Sequence, residues 1–230
     1  IALERIELPG ARAVAELAFT LMLNLARQIR KADSLLRKGH WAKHQLTGSL
    51  LRGKTLGIYG AGNIGCTAGA MGVAWGMNVI ACVENPSSER AAILESKEIQ
   101  LVDVDELLAE SDFISIHLPL KDTTRNIVSA DAFARMKPGA MLVNLARGGV
   151  VNEIALKEAL ASGRLAGAGM DVHEREGEGK VSPLAENDNV ILTPHIGAGT
   201  VDTQREIGET LVQIVGDYSE RVVVANQGTV

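Results

Sequence analysis

The sequence predicts an α/β fold, a doubly wound parallel sheet flanked by helices. Three observations carry that expectation. Short apolar runs alternate with helix-period segments along most of the chain, the pattern of parallel strands joined by helical crossovers. A glycine cluster follows the first of those runs. In addition, 24 glycines stand against 3 Phe, 2 Trp and 2 Tyr, which favours closely packed backbones over an aromatic-rich β-sandwich.

In chain order, Val14, Leu17, Ala18, Leu21, Leu25 and Ile29 recur at three- and four-residue steps. They predict one long helix over 11–38, stopped by Gly39. Strands are expected at 55–59, 78–83, 99–102, 113–117, 140–144, 167–172 and 189–193, about seven in all. Helices are expected between them at 64–74, 88–96, 104–110, 130–136 and 153–162. A last amphipathic helix over about 202–218 places Ile207, Leu211 and Ile214 on one face. The charged, glycine-containing stretch 174–182 is expected to be an exposed loop.

Composition narrows the function classes. Of 230 residues, 46% are hydrophobic and 22% charged, an ordinary globular balance that excludes a disordered chain. A net charge of −5 argues against a nucleic-acid surface, which needs clustered Lys and Arg. The most apolar stretch, 13–26, is interrupted by Glu16 and Asn24 and falls short of the roughly 18–20 apolar residues of a membrane span. It has neither the basic start nor the cleavage site of a signal peptide. Cys66 and Cys82 lie in no metal-like or disulfide-like pattern, so a reducing, cytoplasmic setting is expected. His40 and His44 are four residues apart with no third ligand near, and no metal is assigned. The chain opens at Ile1, as a processed or excised fragment would.

The glycine cluster reads Gly60-Ala61-Gly62-Asn63-Ile64-Gly65, a G-x-G-x-x-G placed between a predicted strand and a predicted helix. In that pattern the first glycine makes the tight turn and the second lets a pyrophosphate approach the backbone. The third lets helix and strand pack closely, and the N–H groups opening the helix face the phosphates. This points to a Rossmann-type sheet that binds a dinucleotide. Glu84 follows at about the expected 20 residues, where a carboxylate accepts hydrogen bonds from ribose hydroxyls and repels a 2′-phosphate. That favours NAD over NADP. The plain alternatives are a solvated loop glutamate, or a phosphate received by Ser87, Ser88 or Arg90.

Three further segments place a polar group at or after a predicted strand end: Asn144 to Val151 around Arg147, 167–172 ending near Asp171, and 192–197 around His195. Open α/β sheets bind ligands at those ends. An arginine grips a carboxylate with a bidentate fork. A histidine shuttles a hydroxyl proton, and a neighbouring carboxylate orients it and favours its charged form. Taken singly, Arg147 could be a strand-end structural residue and His195 a packing residue.

Together the segments A-V-A-E-L-A-F, R-G-K-T-L-G-I-Y-G-A-G-N-I-G, H-L-P-L, M-K-P-G-A, N-L-A-R-G-G-V-V, S-P-L and N-V-I-L-T-P-H-I-G resemble the D-isomer-specific 2-hydroxyacid dehydrogenases, the family that includes phosphoglycerate dehydrogenase. The likeness runs from about Ala11 to Thr200. It implies that Arg147 holds the substrate carboxylate and that His195 transfers the proton. Glu174, Glu176 and Glu178 compete for the acid, and Glu176 matches best, five residues after Asp171. Gly177 stands where the family usually has proline, which leaves that loop looser. Asn63 and Ile64 are implied at the pyrophosphate, Leu118, Pro119 and Leu145 along the cofactor, and Asp171, Gly197 and Ala198 near the nicotinamide. The family's ribose acid commonly sits one residue earlier, at Val83 here, so Glu84 must reach from a shifted position. His173 is read as an incidental neighbour of the acid, and Cys66 as small core filler.

The resemblance implies a dinucleotide-binding domain over 11–199. The flanks 1–10 and 200–230 are then remnants of a substrate domain split between the chain ends, whose N-terminal part is missing. The expected activity is NAD-dependent hydride transfer between D-2-hydroxy acids and 2-keto acids by a homodimer. Little turnover is expected from the fragment alone. The alternative is an NAD-responsive interaction protein like the C-terminal-binding-protein corepressors. Formate dehydrogenase, a relative, is disfavoured by Glu176, where it has an amide.

Overall fold

The computed structural model of the chain describes residues 10–227, with side chains described through Tyr218. Its elements are α1 (Ala11–Arg27), α2 (Ile29–Arg37), β1 (Thr55–Tyr59), α3 (Asn63–Ala74), β2 (Asn78–Cys82), α4 (Ser88–Ser96), β3 (Gln100–Leu101) and α5 (Val104–Glu110). There follow β4 (Phe113–Ile116), α6 (Ala130–Arg135), β5 (Ala140–Asn144), α7 (Glu153–Ala161), β6 (Leu165–Met170), β7 (Val190–Leu192) and α8 (Val201–Gln227). Short polar residues open several helices as the capping rules expect. Ser87, Asp103 and Asn152 each accept a hydrogen bond from a first-turn N–H of α4, α5 and α7.

The seven strands form one sheet in the order β3-β2-β1-β4-β5-β6-β7, every pairing parallel. The inner strands are sandwiched, so successive side chains feed two different cores. Leu56, Ile58, Val79, Ala81, Phe113 and Val143 pack with α1 and α3 on one face. Ile80, Ile114, Ile116, Leu142, Ala168 and Met170 pack with α5, α6 and α7 on the other. The strand order reverses between β1 and β4, and there the crevice of a doubly wound sheet opens. No helix among the described residues is long and apolar enough to cross a membrane.

The expected long helix 11–38 is two helices. The chain breaks at Gln28, which adopts the left-handed conformation at φ 53°. The cause is tertiary. The buried face of α1 ends at Ala26, and α2 buries no residue. Gln28 Nε2 donates to the Thr47 carbonyl at 3.0 Å. Arg30 Nη1 reaches the carbonyls of Asn187, Asp188 and Val190, the last at 2.8 Å, pinning α2 beside the entry to β7. The strand expected at 167–172 begins two residues earlier and stops at Met170, so Asp171 lies just beyond its end. The expected strand 99–102 shortens to a two-residue edge strand. The last helix is longer than expected and starts at Val201. Residues 1–9 of the expected N-terminal flank lie outside the described residues.

Candidate active site

The three fingerprint glycines have three different constraints. Gly60 turns at φ 97°, and a Cβ there would stand 2.8 Å from the His117 carbonyl oxygen. A Cβ on Gly65 would overlap the Gly60 carbonyl, whereas one on Gly62 would meet nothing within 4 Å. Gly62 therefore borders open space at the start of α3, where no side chain caps the helix and first-turn N–H groups are left for an anion. Asn63 is exposed and Ile64 half-buried at that turn. The space, the uncapped helix start and the absence of a side chain at 62 fit a dinucleotide pyrophosphate.

The β4 end closes on the same turn. The His117 N–H donates to the Tyr59 carbonyl at 2.8 Å, and Leu118 and Pro119 follow, half-buried and exposed. His117 Nε2 pairs with Ser115 Oγ at 2.8 Å, and burial pushes its imidazole down to about 4. It is therefore neutral at pH 7. Glu84 stands exposed just past β2. Of the rival phosphate groups, Ser87 caps α4 and Arg90 Nη1 points at Cys66 Sγ at 3.5 Å. Cys66 itself is buried.

At the ends of β6 and β7 the structure brings His195 and Glu176 together, with His195 Nδ1 3.0 Å from Glu176 Oε2. His195 sits at φ 55°, a left-handed conformation that costs a non-glycine residue about 1–2 kcal/mol. Asp171 imposes it. Its backbone carbonyl accepts from the His195 N–H at 2.8 Å. Its carboxylate accepts from Thr193 Oγ1 at 2.6 Å, Ile196 N at 2.9 Å and Gly197 N at 2.8 Å. Asp171, only 1% exposed, thus builds the turn that aims His195, a task beside the cofactor contact implied for it. Gly197 is buried in that turn and Ala198 exposed after it.

Burial pushes the Glu176 carboxyl up. That push is outweighed by the hydrogen bond from His195, the His173 N–H and the charge of the two imidazoles, so the carboxyl lies below its ordinary value. It is ionised at neutral pH and accepts from His195 Nδ1. Arg147 stands on the neighbouring β5 end, exposed, with Nη1 folded back 2.7 Å from the Ala146 carbonyl. Asn144, fully buried, shapes that turn by bonding Ala146 N and the Arg147 carbonyl. Leu145 beside it is buried. A cavity of about 580 Å³ adjoins the pair and is lined by Glu176, His195, Arg175 and Lys180 among others.

Sequence reasoning missed two residues of this neighbourhood. Glu153, 2% exposed, accepts from Glu174 N at 2.7 Å and ties the acid loop to α7. Its signal lies in the sequence, because it shares a stripe with the buried Leu156 and Leu160, where a carboxylate needs partners. His173, read as incidental, donates its N–H to Glu176 and bonds the Thr193 carbonyl, two residues before His195. Only the folded contacts reveal that.

Residues 19–197 match the family described as D-isomer specific 2-hydroxyacid dehydrogenase, NAD binding domain. A hydroxypyruvate reductase of Thermotoga maritima is 44% identical over 209 residues, covering 89% of this chain and 66% of the relative. A D-3-phosphoglycerate dehydrogenase of Archaeoglobus fulgidus is 39% identical over 220 residues, covering 95% of this chain and 41% of the relative. Among solved structures, D-lactate dehydrogenase from Aquifex aeolicus complexed with NAD and lactic acid superposes with a TM-score of 0.81. It is 32% identical, with 91% of this chain and 67% of that one covered. The chain therefore spans two thirds or less of the length of these curated relatives.

Proposed function

Because the chain belongs to the family of D-isomer specific 2-hydroxyacid dehydrogenase NAD-binding domains, we propose that it is the cofactor-holding part of an enzyme interconverting 2-keto acids and D-2-hydroxy acids. The observation that carries this reading is the His195–Glu176 pair, held beyond the C-terminal ends of β6 and β7 in the same parallel sheet whose β1 end carries the glycine turn. Bound NADH supplies the hydride. Gly60, Gly62, Asn63, Ile64 and Gly65 hold the pyrophosphate, and Glu84 the adenosine ribose. Leu118, Pro119, Leu145, Asp171, Gly197 and Ala198 line the path to the nicotinamide.

The chain's own chemistry in the reductive direction is proton delivery and substrate grip. Because Nδ1 is occupied by Glu176, Nε2 of His195 is the nitrogen free to give its proton to the forming alkoxide oxygen. Glu176 stabilises the imidazolium before transfer. Arg147 swings from the Ala146 carbonyl to hold the substrate carboxylate in a bidentate fork. The names of the relatives point to small 2-keto acids such as hydroxypyruvate, glyoxylate and pyruvate. The interaction-protein alternative draws no support from relatives named as reductases and dehydrogenases.

Residues 11–199 form the cofactor unit in this reading, with 1–10 and 200–230 contributing to a split substrate domain. Two free cysteines accord with a cytoplasmic setting, and the exposed Ile29, Leu36, Trp41 and Leu50 with a homodimer contact. The test is NADH oxidation with glyoxylate, pyruvate, hydroxypyruvate and oxaloacetate by the protein carrying a complete substrate domain. His195→Ala should lose about 10²–10⁴-fold in rate, and Arg147→Ala should chiefly raise KM. Unchanged rates in His195→Ala would remove the mechanism.

A further inference from the structure

His173 touches the loops of all three residues of the proposed trio. Its backbone N–H donates to Glu176 Oε1 at 3.1 Å. Its ring Nε2 lies 2.9 Å from the carbonyl oxygen of Thr193, two residues before His195. Its own carbonyl sits so close to Gly148, beside Arg147, that a side chain there would overlap it. A carbonyl oxygen only accepts, so Nε2 is the protonated nitrogen in that bond. Nδ1 is left buried without a hydrogen-bond partner and faces Glu153 Oε1 at 4.0 Å.

Glu153 backs this arrangement from α7. Its Oε1 accepts from Glu174 N at 2.7 Å and its Oε2 from Ser182 Oγ at 3.3 Å, while its own N–H donates to Glu174 Oε1 at 3.0 Å. The loop beyond is loose by contrast. Gly177 and Gly179 adopt φ of 114° and 70°, and a Cβ on either would meet nothing within 4 Å. Glu176, 42% exposed, accepts one hydrogen bond from His173 and one from His195.

We propose that His173 is a positioning residue for the acid–base pair. By tethering its ring to the Thr193 carbonyl it fixes where its N–H points, and that N–H holds Glu176 against His195. Any residue but proline has an N–H at 173, but the imidazole ties that N–H to the β7 end carrying His195. The role rests on the proposed function, yet its geometry is readable without turnover. The lowered Glu176 carboxyl, to which the His173 N–H contributes, agrees with it.

The test is nuclear magnetic resonance of the 230-residue chain labelled with ¹⁵N-histidine, following the His195 Nδ1 proton. In the wild type that proton is held against the carboxylate, and Glu176→Gln assigns its resonance by shifting it. His173→Phe keeps a ring but no donor and should lose the held signal. His173→Gln, whose amide can donate to the Thr193 carbonyl, should keep it. His173→Asn, too short to reach, replaces the Phe variant if that does not fold. A residue that merely fills space would lower the melting temperature and leave the signal. An unchanged signal in folded His173→Phe or His173→Asn overturns the proposal, as does equal loss in the Gln variant. A wild type that shows the held proton but no NADH binding would instead sink the functional reading and leave the positioning intact.

Discussion

Glu176 and His195 form their hydrogen bond half in water, at 42% and 50% side-chain exposure. Solvent screening makes the pair's value to folding small, and its value to orientation correspondingly more important. The carboxyl lies below its ordinary range, so its contribution to stability is present above the unfolded value and is lost as pH falls through the folded one. Chemical denaturation of wild type and Glu176→Gln should therefore show a small gap at neutral pH that closes in acid. A gap that persists there would mean that the glutamate stabilises by packing rather than by charge. In the assembled enzyme the same substitution should slow keto-acid reduction, because the His195 ring loses the carboxylate that orients it. Glu84 bears on cofactor choice. One charge-assisted bond to a ribose hydroxyl is worth about 1.5–3 kcal/mol, so calorimetry should find NADH bound more tightly than NADPH, and Glu84→Ala should erase the difference. Equal wild-type affinities would shift the role to Ser88 or Arg90. The ordered motifs single out His195, Glu176 and Arg147 as candidates in the sequence, and the structure sets the first two 3.0 Å apart. His173 and Glu153 are not singled out there, because their importance lies in hydrogen bonds to backbone groups about twenty residues away in sequence.

The fingerprint turn makes a sharper claim, since its glycines are constrained differently. A methyl group at 65 would overlap the Gly60 carbonyl, while one at 62 projects into open space. Gly65→Ala should thus destabilise the fold by about 1–3 kcal/mol, the usual cost of overpacking, measurable by urea denaturation. Gly62→Val should leave the melting temperature near wild type and abolish NADH binding. Retained binding in the folded Gly62→Val protein would refute the dinucleotide reading of the turn. The pattern of elements is legible to the same depth: buried apolar runs separated by helical periods give the strands at 55–59 and 140–144 residue for residue. The break at Gln28 is not. The apolar period runs straight through it to Ile29, and what bends the chain is Arg30 bonding carbonyls about β7, a contact far away in sequence. The early start of β6 at Leu165 likewise depends on pairing with β5, which local propensity does not contain.

At the scale of the whole molecule, the proposed reading makes this chain the cofactor side of a cleft whose second wall comes from further protein. His195 is half exposed, and a proton donor in that position is strong only when water is excluded around it. Beyond the sheet, α8 carries Val201, Leu211, Val212, Val215 and Tyr218 exposed, and a second apolar set lies at Ile29, Leu36, Trp41 and Leu50. Surfaces of this kind mark contacts with further protein. The 230-residue chain by itself should accordingly bind NADH yet oxidise it slowly with every keto acid offered. Sedimentation should show a dimer that Trp41→Glu and Leu50→Asp together dissociate, with NADH affinity unchanged because both residues precede the start of β1, whereas the fingerprint turn follows its other end. Fusing a complete substrate domain should raise turnover while leaving NADH affinity within a few-fold. Brisk turnover by the unfused dimer that vanishes in the dissociated double variant would show that the second copy closes the cleft. Brisk turnover by the monomer would mean that His195 needs no cover, and the requirement for a second wall would fall.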